Sequence, residues 1–81
     1  MFGFRRKTPP IRLKTPSLSP RQTQILTMIA EGKTNKMIAC SFGISEQTVK
    51  NQVVSILDKL GAHNRTHAVV LAIRGGLIEY R

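Results

Sequence analysis

Residues 34–60 read TNKMIACSFGISEQTVKNQVVSILDKL, and the spacing within this stretch decides the fold. Thr34 is a residue type that caps helix N-termini. From Asn35 to Phe42, the residues Ile38, Ala39 and Phe42 fall on one helical face. Gly43 stops that helix, and only Gly43 and Ile44 separate it from the next cap, Ser45. A longer helix is predicted from Glu46 to about Leu60, with Gly61 after it. Its apolar stripe is Val49, Val53, Ile56, Leu57 and Leu60. Its opposite side carries Gln47, Asn51, Ser55 and Asp58, flanked by Thr48, Lys50 and Val54. Two short helices joined by a tight turn, the second with a polar outer face, form a helix-turn-helix.

Working outward, Ser19-Pro20-Arg21-Gln22 is a capping box with proline at the first helical position. Ile25, Leu26, Ile29 and Ala30 continue that helix until Gly32. A last helix is predicted from Asn64 or Arg65 to Gly75-Gly76. The expected fold is therefore all-α: a compact four-helix domain over residues 18–81, with the helix-turn-helix at about 34–60. Residues 1–17 differ in kind. They carry Arg5, Arg6, Lys7, Arg12 and Lys14 with no acid, and they hold Pro9, Pro10 and Pro16. Proline opposes helix and like charges repel, so a flexible, disordered basic arm is expected there. It reads equally as a solubilising tail or as an arm lying along a nucleic-acid groove.

Composition narrows the function. The chain has 81 residues and a formal net charge of +9, enough for one small domain. So short a chain offers little wall for a deep pocket and a catalytic apparatus. A polyanionic partner is indicated, nucleic acid before a membrane surface. No apolar stretch approaches the roughly 18 residues that span a bilayer, and no secretory signal opens the chain. Cys40 is the one cysteine, so no internal disulfide can form. A cytoplasmic, nucleoid-associated protein is expected, without membrane or small-molecule ligand.

The outer face of the third helix suits base reading. Asn51 can pair with adenine N6 and N7, and Lys50 can reach guanine or a phosphate. Val54 matches a thymine methyl, Thr48 can reach a phosphate, and Gln47 lies on the same face. Thr34, Asn35 and Lys36 open the second helix, where backbone N–H groups and a cation favour a phosphate. Taken singly, each of these residues reads first as part of a solvated surface. Joined to the turn and the charge, they form a candidate face for double-stranded DNA.

The fourth helix holds six apolar residues in a row, Ala68 to Ile73. Ala68, Val69, Ala72 and Ile73 share a core-facing arc. Val70 and Leu71 fall on the other side, beside His67 and Arg74. That second surface, His67, Val70, Leu71 and Arg74, is the expected homodimer interface. The alternatives are two stray exposed aliphatics, or cover by Leu77 and Ile78.

The order Leu18-Ser19-Pro20-Arg21-Gln22, Glu31-Gly32-Lys33-Thr34-Asn35-Lys36, Ile38-Ala39, Gly43-Ile44-Ser45, Thr48-Val49-Lys50, Lys59-Leu60-Gly61 and Asn64-Arg65-Thr66 resembles the LuxR/GerE-type DNA-binding domain. The resemblance covers residues 18–78. It implies a bacterial transcription regulator, major-groove reading by the third helix and dimerisation through the fourth. It also implies DNA contacts at Thr34, Asn35, Lys36, Thr48, Lys50, Asn51 and Val54. With only 17 residues before the domain, the layout resembles the stand-alone GerE-like regulators. The family usually has Glu where Gln22 stands, and often where Gln24 stands. Met37 replaces a usual Glu, and Gln52 a usual His. Arg65 usually has its acidic partner at the positions of Gln22 and Gln24, so its pairing is open.

No enzyme, metal or cofactor is expected. Cys40, His63 and His67 do not make a metal-ligand pattern. No nucleophile, base and orienting group occur together. The rival reading is a small helix-turn-helix adaptor that binds RNA polymerase or another protein through Val70 and Leu71.

Overall fold

A computed structural model describes residues 18–79. Four helices follow one another: α1 Pro20–Ala30, α2 Asn35–Phe42, α3 Glu46–Leu60 and α4 Arg65–Arg74. The expected all-α four-helix domain is what the chain forms. The basic arm expected over residues 1–17 lies outside the described residues.

Each helix begins on a side chain that accepts a backbone N–H. Ser19 accepts from Gln22, Thr34 from Met37, Ser45 from Thr48 and Asn64 from His67. These bonds satisfy N–H groups that a helix start leaves without partners. Ser19 and Gln22 complete the reciprocal capping box. The turn between α2 and α3 depends on Gly43, whose φ of 67° lies in the left-handed region. The Ile44 N–H donates back to the Ala39 carbonyl at 3.0 Å, which closes the turn. Ile44 itself packs against the core.

The core is Ile25 and Leu26 of α1, Ile38 and Ala39 of α2, Val49, Val53, Ile56 and Leu60 of α3, Ala68 and Ala72 of α4, and Ile78. α3 packs against all three other helices, and α4 packs against α1 and α3. Ile25, Leu26, Ile38, Val49 and Ile56 are fully buried, and each such burial stabilises by roughly 1.5–3 kcal/mol. The small Ala68 and Ala72 let the α4 backbone approach closely. Arg21 of α1 lies over the Phe42 ring, 4.2 Å from its centroid, and ties α1 to the end of α2.

Two side chains sit deeper than their helical phase suggests. Ser55 is half-buried and faces α1 rather than the open side of α3. Leu71 is half-buried against the core, whereas Val70 stays exposed. Helix periodicity locates one stripe facing one neighbour. Here α3 is flanked by three helices and α4 by two, so the covered arc is wider.

Candidate nucleic-acid interface

Burial of Val49, Val53, Ile56 and Leu60 fixes the rotation of α3 about its own axis. That rotation leaves Gln47, Thr48, Lys50, Asn51 and Val54 exposed. Val54 is 60% exposed, an apolar residue held in water by the phase of its helix. Gln47 Nε2 donates to Asn51 Oδ1 at 2.9 Å, an i, i+4 pair on the outer face. Thr48 shares a 2.9 Å hydrogen bond with the hydroxyl of the cap Ser45. Glu46 in the first turn and Lys59 in the last both complement the helix dipole.

α2 presents Thr34, Asn35 and Lys36 at its start. Thr34 and Lys36 are exposed. Asn35 is half-buried, because Arg65 Nη2 donates to its Oδ1. That contact bridges the first residues of α2 and α4 and answers the open pairing of Arg65. The partner is a neutral amide. No acid occupies the first turn of α2.

Gln22 holds the interface from behind. It is 5% exposed, the one buried polar side chain among the described residues. Its Oε1 accepts from Ser19 N–H at 3.2 Å and from Lys59 Nζ at 2.7 Å. Its Nε2 donates to Gln52 Oε1 at 3.0 Å and to the Ser55 hydroxyl at 3.1 Å. One side chain of α1 thus grips α3 at three positions over two turns. The sequence signalled only its capping role.

On α4, Val70 and Arg74 are exposed, while His67 and Leu71 are half-buried. The His67 ring stacks on His63 at 4.9 Å between centroids, 10° from parallel. Its Nδ1 accepts the His63 backbone N–H at 3.0 Å. Cys40 is exposed on α2. Among the described residues, no helix is long and apolar enough to cross a membrane.

Residues 16–72 match the family described as "Bacterial regulatory proteins, luxR family". Transcriptional regulatory protein YdfI of Bacillus subtilis (strain 168) is 43% identical over 61 residues, which cover 75% of this chain and 29% of YdfI. Spore germination protein GerE of the same organism is 38% identical over 64 residues, covering 79% of this chain and 86% of GerE. The chain therefore spans under a third of YdfI but most of GerE. Among solved structures, the fold is similar to the response regulator ChrA of a heme-sensing two-component system. That match has a TM-score of 0.75 at 41% identity, over 79% of this chain and 32% of that one. It is also similar to the transcription factor GerE, with a TM-score of 0.74 at 29% identity, over 79% of this chain and 97% of that one.

Proposed function

This chain belongs to the luxR family of bacterial regulatory proteins and is a DNA-binding regulatory domain rather than an enzyme, and on that premise we propose how it reads DNA. α3 enters the major groove, which is wide enough for one helix, and α2 crosses the backbone beside it. Asn51 reads a base edge, Lys50 reads guanine or grips a phosphate, and Val54 meets a thymine methyl. Thr34, Asn35, Lys36 and Thr48 contact phosphates and set the register.

The observation that carries this reading is the outer face of α3. A rigid apolar stripe turns a row of amide, ammonium and methyl groups outward as a set. The Gln47–Asn51 bond adds to it. A carbonyl oxygen has two lone pairs. Asn51 Oδ1 can keep its bond from Gln47 and still accept from adenine N6, while its Nδ2 donates to N7. Gln47 thereby holds Asn51 ready before DNA arrives.

Two protomers meet through the α4 surface around Val70, with Leu71, His67 and Arg74 beside it. Each reads a half-site, with centres about one helical turn apart. The proposed place of action is the nucleoid.

The test is selection of a preferred duplex by the full chain, followed by anisotropy titration of wild type and Asn51→Ala. Asn51→Ala should lose about 1–3 kcal/mol on the preferred site and relax the choice at one base pair. Equal loss on preferred and scrambled duplexes would show that Asn51 does not read a base.

A further inference from the structure

Arg65 is a charge without a counter-charge. It is the first residue of α4, half-buried, and its guanidinium is bonded to the neutral side chain of Asn35. No ion pair joins it to a carboxylate among the described residues. A guanidinium stays protonated at any pH a cell reaches and carries five donors. Withdrawing such a group from water without an anion is costly. Lys33 lines the same open cleft as Arg65 and Thr66, together with Ala30 and Val69. Lys36 follows Asn35 on α2. Neither lysine is ion-paired among the described residues. Two cations, one from the loop before α2 and one from α4, thus line one corner, and neither has an acid to neutralise it among the described residues.

We propose that Arg65 and Lys33, together with the Asn35 amide, grip a backbone phosphate of duplex DNA. This makes the start of α4 an anchor outside the helix-turn-helix. The inference rests on the DNA-binding reading and deepens it. Asn35 connects the two: it opens the helix that crosses the backbone, and it touches Arg65 directly. With Asn35 Oδ1 turned to Arg65, its Nδ2 is left as a donor for the same phosphate. The planar fork of arginine matches two phosphate oxygens at once, which a lysine cannot do. The contact carries no sequence information and fixes register.

The experiment is anisotropy of the full chain on a fixed duplex and a scrambled one, across a salt series, with melting followed for each variant. Arg65→Gln should lower the log–log salt slope by about 0.9, one phosphate's worth, on both duplexes alike. That is a loss of about eightfold at ~0.1 M salt relative to ~1 M. Arg65→Lys should keep the slope and bind more weakly. Met37→Glu separates binding from folding. Met37 is exposed at the third position of α2, where an acid completes a capping box with Thr34 and favours the helix. It should raise the melting temperature while weakening DNA binding, because it neutralises the corner. If wild type binds duplex and folded Arg65→Gln keeps the wild-type slope, the anchor is wrong and the DNA-binding reading stands. If affinity merely follows melting temperature across all three variants, the anchor is also wrong. If wild type binds neither duplex at low salt, the DNA-binding reading fails and takes the anchor with it.

Discussion

Replacing Gln22 with Ala should destabilise the fold by about 3 kcal/mol. The side chain is buried and makes four hydrogen bonds: from Ser19 N–H and Lys59 Nζ, and to Gln52 and Ser55. A neutral hydrogen bond contributes a net ~0.5–1.5 kcal/mol, and one to a charged group ~1.5–3 kcal/mol. The upper ends do not apply, because Lys59, Gln52 and Ser55 are half-buried and water can replace part of what is lost. The capping N–H at Ser19 is exposed and contributes little. The charged bond and the two neutral bonds to α3 therefore dominate, and their lower values together with the one lost methylene come to about 3 kcal/mol. For a domain of this size the melting temperature should fall by about 12–24 °C. Urea unfolding followed by circular dichroism measures it.

Gln22→Glu is the informative control. A carboxylate keeps the capping acceptor and makes the Lys59 bond an ion pair. It gives up two donors, but the Gln52 amide can turn to donate and the Ser55 hydroxyl can do the same. Stability should stay within ~1 kcal/mol of wild type. A loss below ~1 kcal/mol for Gln22→Ala would refute the reasoning, because the amide would then be an ornament on α1 rather than its link to α3.

Three further outcomes follow from packing and backbone. Ile56→Ala, at a fully buried position on α3, should lose about 2–5 kcal/mol; against a typical stability of ~5 kcal/mol for small domains, urea unfolding should show no more than ~3 kcal/mol of stability left. Gly43→Ala has open space for the new methyl, so only the left-handed backbone resists it, at about 1–2 kcal/mol; a urea midpoint corresponding to more than ~3 kcal/mol would mean a clash is present. Val70→Lys places a charge where an exposed valine marks the proposed dimer surface. Sedimentation at micromolar concentration should show dissociation to monomers with helix content unchanged, whereas an unaltered sedimentation coefficient would remove Val70 from the interface.

Local signals were legible along the chain. The caps Ser19, Thr34 and Ser45 and the glycine stops Gly43 and Gly61 all stand where the sequence places them, and α4 starts at Arg65, one of the two starts the sequence offers, with Asn64 as its cap. Capping and glycine stops involve residues within one turn of each other, so spacing alone reveals them. The stripe on α3 was legible for the same reason. Contacts between distant segments were not. Gln22 meets Ser55 across 33 positions, and Arg65 meets Asn35 across 30. A polar side chain at a helix flank looks the same whether water or another helix faces it. Ser55 therefore read as outward and Gln22 as a cap alone. Leu71 read as exposed because the phase of a helix does not tell how many neighbours it has.

The two long-range contacts share a feature. Lys59 and Arg65 are half-buried cations, and each donates a hydrogen bond to an amide: Gln22 for Lys59 and Asn35 for Arg65. At Arg65 a carboxylate in place of Asn35 would make a stronger bond and cancel one positive charge. The Asn35 amide holds the geometry and leaves the Arg65 charge in the field of the protein. For a fold maintained by its apolar core, a weaker polar bond is a modest loss. For a domain whose partner carries one negative charge per ~1.7 Å of helix axis, each retained cation raises affinity on every sequence. In the proposed reading, discrimination then comes from the few groups on α3 that would reach base edges, since uniform attraction cannot supply it. The Gln47–Asn51 pair fits that proposed division, in which the scaffold attracts and a short row on one helix selects.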